Sequence, residues 1–295
     1  MADMSPTATA NAPGAAREVT PPRPAGSIGR AAARKRKTMS ARLTSAAGKL
    51  VALAIVVVAW HVFVTGPGKA SGIPTPLQLI ETGADLVVTG QYWDAVGNTL
   101  LTALIGFGLS VLIGVPLGLV NGTYRKVEQS TSFVVDFGRT IPGVAILPLV
   151  LLLFGGTRTM AVVLVMFSAV WPILVQSTYA AQQLSSQMKQ VARAFRLSPA
   201  SRIRDIYLPS SMPFLMTGLR IAATISLLIT ISAEFLGGAD GIGQRLYQAL
   251  TVDDTQRMFV YVFTAGVLGI CLNRLLVLAQ SRVLWWHPSE RVNKP

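Results

Sequence analysis

Six apolar runs divide this chain: residues 50–66, 99–120, 133–155, 159–181, 212–233 and 258–280. Each has roughly the 17–25 residues that a helix needs to cross a bilayer. The pattern predicts an all-α, polytopic membrane protein with about six transmembrane helices. The third run carries Asp136 and Arg139, which is unusual for a lipid-facing helix.

Between the fourth and fifth runs the pattern changes. Met188, Val191, Ala192 and Phe195 recur at i, i+3, i+4 and i+7, one apolar face of a short helix. Lys189, Arg193 and Arg196 occupy its other side. Ser198-Pro199 reads as an N-cap followed by proline at the first helical position. Ile203, Ile206 and Tyr207 give a second short helix its apolar face, and Leu208-Pro209 is expected to close it. Three uses fit a basic amphipathic stretch of this kind: lying on anionic lipid, gripping DNA as a helix-turn-helix, or filling a groove on a cytoplasmic partner. DNA is the weakest of these, because both ends are tied to spans and the second helix has only about eight residues.

Composition agrees with the membrane reading. The 295 residues are 51% hydrophobic and only 13% charged, against about 25% charged in ordinary soluble domains. Mean hydropathy is +0.51. The lone Cys271 excludes an internal disulfide framework and a Cys-based zinc site. His61 and His287 are far apart, so no metal site is expected.

The net charge of +13 follows topology. Residues 1–49 form a block rich in Ala, Pro, Thr and Arg, read as a disordered cytoplasmic tail. Its "RKRK" at 34–37 sits just ahead of an apolar run and serves as a topology signal. This lead is too long for the n-region of a cleaved signal peptide. With both termini inside, only Lys69, Arg158, Arg245 and Arg257 fall outside, and Arg139 and Arg220 fall within spans. All other cations lie inside, as the positive-inside rule requires, so no nucleic acid is needed to explain the charge. Trp60, Trp93, Trp285 and Trp286 stand near span ends, where interfacial indoles belong. Residues 50–287 thus form the membrane domain and 288–295 a short cytoplasmic tail.

Within the second run Gly106, Ser110, Gly114, Gly118 and Gly122 recur every four residues, a face that lets two helix backbones approach closely. Packing inside the bundle and a homodimer contact are both open readings of that face. Pro116, Pro142, Pro148 and Pro172 fall inside runs, where proline kinks a helix. Asp136, Arg139, Arg220 and Glu234 stand at membrane depth or at a span end. Such charges either pair locally and anchor at the interface, or line and gate a pathway together with Pro142.

No catalytic set is present. The nearest approach to a P-loop, "TGPGKAS" at 65–71, has Phe63 where the first glycine belongs and Ala70 after the lysine. The chain is not expected to be an enzyme or to bind a cofactor itself.

The basic stretch also resembles the cytoplasmic signature of ABC importer permeases, written E-A-A, three residues, G, nine residues, I-x-L-P. Ile206, Leu208 and Pro209 match its end, Ala192 matches one alanine, and Gln190 and Arg196 stand where glutamate and glycine belong. "GIPTPLQLI" (72–80), "GRTIPGVAILPLVLLLFG" (138–155), "LPSSMPFLMTGLRIA" (208–222) and "RVLWWHP" (282–288) are similar to the nitrate/sulfonate/taurine group of these permeases. The likeness spans residues 50–287.

The resemblance implies a permease subunit in a bacterial cell membrane, working as a homodimer with two copies of an ATP-binding subunit and an external solute-binding protein. ATP acts through the partner subunit. The coupling contact would involve Gln190, Ala192, Arg193, Phe195, Arg196, Leu197 and Ser198. Arg196 lacks glycine's freedom at positive φ, so the family's tight turn is not expected here. Its guanidinium would instead pair with an acidic residue of a dedicated ATPase. Implied solutes are nitrate, taurine or alkanesulfonates. Alternatives are a permease for a pyrimidine thiamine precursor, a secondary transporter, or a membrane scaffold or sensor.

Overall fold

The computed structural model describes residues 47–69, 72–183, 190, 192, 194–198 and 201–285. Among them every regular element is helical. The chain divides at Ala59/Trp60. On the N-terminal side, residues 47–59 belong to helix α1 (Ala47–Thr65) and expose Leu50, Val51, Leu53, Ile55 and Val56. An exposed apolar helix of this length is suited to lipid. It starts slightly earlier than the sequence boundary at residue 50. The tails at 1–46 and 286–295 lie outside the described residues.

The larger unit begins with α2 (Pro76–Val87), which sequence periodicity did not predict. Its start is a capping box: the Gln78 side chain accepts from the Thr75 N–H at 2.9 Å, and the Thr75 hydroxyl accepts from the Gln78 N–H at 3.3 Å. Pro76 holds the first helical position, where no backbone donor is lost. The long α3 (Gly90–Thr123) follows.

The third apolar run is not one straight helix. α4 (Arg125–Thr140) and the stretch Gly143–Phe154 meet at 86°. Pro142 denies the ladder a donor and pushes Ile141 out of the helical region. Ile141 accordingly has φ −71°, ψ 119°, and Pro142 φ −61°, ψ 121°. A 3₁₀ turn (Gly143–Ile146) then leads into α5 (Leu147–Phe154), with Pro148 harmless in its first turn.

The remaining helices are α6 (Arg158–Gln182), α7 (Leu208–Gly237), α8 (Ile242–Thr251) and α9 (Thr255–Val283). Leu208-Pro209 does not close a short helix, contrary to expectation. A π-helical turn over Arg202–Tyr207 runs directly into α7, with Pro209 in its first turn. A widened turn is one place where a helix accepts the missing donor and ring of proline.

α6 is the central helix. Met160, Ala161, Leu164 and Val165 are fully buried against Leu147, Val150, Ile229 and Ala233 of α5 and α7. The small-residue face of α3 lies on α6: a Cβ at Gly106 would come within 2.5 Å of Val165 Cγ1, and one at Gly118 within 2.5 Å of Ser177 Cβ. Ser110 donates to the Gly106 carbonyl at 2.8 Å and lies 3.2 Å from the Met166 carbonyl. This stripe therefore packs within the bundle, and the homodimer reading of that face does not hold. α8 is held between α3 and α9 by Tyr92, Ile242 and Tyr261, with the Tyr92 and Thr264 hydroxyls 3.0 Å apart. Val262, Val267, Ile270 and Leu278 of α9 remain exposed, as a membrane-facing helix allows.

Candidate functional site

The segment between α6 and α7 is built around a capped turn. Ala192 is buried at 1% exposure and Phe195 is 75% exposed. Arg196 adopts φ +48°. The Leu197 N–H donates to the Ala192 carbonyl at 3.1 Å, the bond from the second residue past the helix to its last full turn in a Schellman motif. Arg196 thus takes the left-handed position that glycine serves in this kind of cap, which corrects the expectation that the turn would be lost. Ser198 then caps the next segment, its hydroxyl accepting from the Ser201 N–H at 3.2 Å. Arg202 donates through Nε to the Leu197 carbonyl at 2.9 Å, tying the two sides together. Gln190 and Ser198 are exposed and Leu197 is half-buried; Arg193 lies outside the described residues. Ile206 and Pro209 are half-buried, while Leu208 is exposed. Among the described residues, the segment therefore presents the exposed Phe195 beside a fixed turn.

The second cluster surrounds the break after α4. Arg139 Nη2 lies 3.0 Å from Asp136 Oδ1, both side chains at least half exposed. The break opens on a cavity of about 650 Å³ between α4, α6 and α7. A smaller one of about 160 Å³ lies between α4 and α6 and shares Arg139 and Val175 with it. Pro142 makes the break but does not line either cavity. Toward the start of α4, Asn121 accepts from Thr131 at 2.6 Å and Gln182 donates to Glu128 at 2.7 Å. These bonds tie α4 to the ends of α3 and α6.

The other two charges bond to neighbouring helices, although the buried Oε1 of Glu234 has no hydrogen-bond partner among the described residues. Arg220 donates through Nε and Nη2 to the Asn273 side-chain carbonyl at 3.1 and 2.9 Å, joining α7 to α9 beside a cavity of about 540 Å³. Glu234 is fully buried. Its Oε2 accepts from the Thr99 hydroxyl at 2.8 Å and from the Gly243 N–H at 2.9 Å, while Thr99 accepts from the Ile242 N–H at 2.9 Å. Glu234 and Thr99 thereby cap the N-terminus of α8. Neither residue borders the two cavities at the break. Thr99, Asn273 and Gln182 were not singled out by the sequence pattern, although isolated polar residues in apolar helices are the signal that points to such bonds.

Comparisons with known proteins bear on what this arrangement is for. The family described as binding-protein-dependent transport system inner membrane component matches residues 110–285. The nitrate import permease protein NrtB of Synechocystis is 28% identical over 251 residues, covering 82% of this chain and 89% of that protein. A Bacillus subtilis protein named for aliphatic sulfonates transport, SsuC, is 24% identical over 238 residues, covering 80% of this chain and 86% of its own length. Among solved structures, an inward-facing MetNI methionine ABC transporter superimposes with a TM-score of 0.54 at 22% identity, covering 64% of this chain and 93% of the matched one.

Proposed function

The chain belongs to the binding-protein-dependent transport system inner membrane component family, and from that membership we propose how it works as one half of an ATP-driven importer for a small oxyanion or organosulfonate. That it is a multi-pass permease of the ABC importer class follows from the family and its relatives. The finer reading is ours. Two copies of this chain form the pathway, with both termini in the cytoplasm. ATP is bound and hydrolysed by two separate subunits, and an external binding protein delivers the solute. Residues 190, 192 and 194–198 dock into the ATPase, with Phe195 as the anchor and Gln190, Arg196 and Ser198 around it.

The observation that carries the coupling assignment is the 75% exposure of Phe195 beside a turn held by the Leu197–Ala192 bond. A rigidly presented aromatic is the usual anchor of a protein interface. The names of the relatives support the solute class: one imports nitrate and another is named for sulfonates, and both solutes are small oxyanions.

The test is to purify the tagged chain in nanodiscs and look for a stoichiometric ATPase whose hydrolysis rate this subunit alters. Absence of such a partner overturns the importer reading. Uptake driven by a proton or sodium gradient without ATP would instead identify a secondary transporter.

A further inference from the structure

The 86° break in the third apolar run interrupts the helical backbone ladder, and inside a bilayer such a break is tolerated only where it faces protein or a water-filled cavity. A cavity is present at the break. Arg139, Thr140 and Gly143 border it from the broken span, and Ser168, Trp171 and Gln176 border it from α6. Among the described residues that line it, Arg139 is the only ionisable one, so no carboxylate in its wall offsets the positive charge.

Asp136, the partner of Arg139, does not line this larger cavity; it lines the smaller one that Arg139 also borders. Arg139 therefore borders both cavities, and Asp136 borders only the smaller one. The pair is i,i+3 on one helix, 3.0 Å long and more than half exposed on both partners. A half-hydrated pair of this kind contributes little net stability, so another anion can displace the carboxylate at small cost. The planar fork of arginine donors that fits a carboxylate fits a nitrate or sulfonate group equally well.

We propose that Arg139 is the oxyanion-binding residue of the pathway and Asp136 its resident counter-ion. A permeating anion in the larger cavity takes the place of Asp136 on the guanidinium. Return of the carboxylate then expels the anion toward the smaller cavity, so a single side chain serves capture and release. This site rests on the oxyanion reading above.

The experiment uses the complete complex in proteoliposomes, with uptake of nitrate and of a radiolabelled alkanesulfonate as readouts and co-purification of the ATPase as the assembly control. Arg139→Gln is expected to lower uptake of both at least tenfold with assembly intact, and Arg139→Lys to restore part of it. The exchange D136R/R139D keeps an ion pair but puts a carboxylate into the larger cavity; uptake is expected to stay at least tenfold down. Asp136→Asn removes the competing carboxylate, and internal nitrate should then inhibit uptake at several-fold lower concentration. Wild-type uptake by R139Q or by the exchanged pair overturns the site while leaving the oxyanion reading in place. A wild-type complex that moves a different solute and neither anion overturns the oxyanion reading, and this site with it. If the exchanged pair fails to assemble, the single variants decide the matter.

Discussion

Thr99 and Glu234 lie 135 residues apart and share a 2.8 Å hydrogen bond in the fully buried seam between α3, α7 and α8. Thr99 is both donor and acceptor in this seam, giving its proton to Glu234 Oε2 and taking one from the Ile242 N–H at 2.9 Å. Glu234 takes a second proton from the Gly243 N–H. The pair caps a helix that lacks a capping side chain of its own, since its N-cap is Gly241.

Removing either side chain strands a buried donor. Thr99→Val leaves the Ile242 N–H without its acceptor, and Glu234→Ala does the same to the Gly243 N–H. Each stranded group costs about 1–3 kcal/mol. Thermal unfolding in detergent should show both variants melting below wild type, with Thr99→Ser close to it because the hydroxyl is kept. Wild-type melting for Thr99→Val would mean that the seam contributes nothing.

The α3–α6 contact makes a second prediction. A side chain at Gly118 meets the Leu174 carbonyl and Ser177 Cβ, and the backbone of α6 cannot rotate away as a flexible side chain would. Gly118→Leu is expected to cost at least the ~1–3 kcal/mol typical of overpacking, seen as a lowered melting temperature of the chain itself. A stripe serving as a dimer contact would behave differently, dissociating copies while leaving each one intact. Crosslinking beside the melting curve separates the two.

Arg196 supplies a third. A side chain in the left-handed region costs about 1–2 kcal/mol relative to an ordinary helical conformation, and glycine avoids that cost while adding chain entropy in the unfolded state. Arg196→Gly should therefore firm the turn by about 1 kcal/mol, read as slower hydrogen exchange of the Leu197 amide. Arg196→Pro should abolish its protection, because proline locks φ near −65°. If the guanidinium also pairs with the ATPase, Arg196→Glu should weaken co-purification while leaving the turn folded.

Phe195 gives the fourth. Its side chain is 75% exposed, so Phe195→Ala removes little from the chain's own packing. As an interface anchor its truncation is expected to cost about 2 kcal/mol or more, roughly a thirtyfold loss of affinity for the ATPase. Melting of the isolated chain should stay within about 0.5 kcal/mol of wild type. Unchanged ATPase affinity would move the docking site elsewhere.

The sequence by itself determined the helical class, the positions of the apolar segments, the crowding of cations into alternate loops and the amphipathic character of the stretch before α7. These are local properties: hydropathy sums over neighbouring residues, and charge counts depend only on which loop a residue occupies. The Ser198 cap was legible for the same reason, since its hydroxyl bonds a backbone group three residues away. The tertiary structure decided whatever depended on a distant partner or on direction. A four-residue spacing marks a face of α3 without naming α6 as what covers it. The run of apolar residues over 133–155 cannot register an 86° bend, because apolar character has magnitude along the chain but no direction in space. Asp136 and Arg139 were legible as a pair three residues apart, but the cavities they border required α6 and α7. Arg196 was misjudged because residue type gives the cost of a left-handed turn, while the surrounding chain decides whether that cost is met. Glu234 was legible as a charge at a span end, paired or lining a pathway, and only the tertiary structure supplied Thr99 of α3 as its partner.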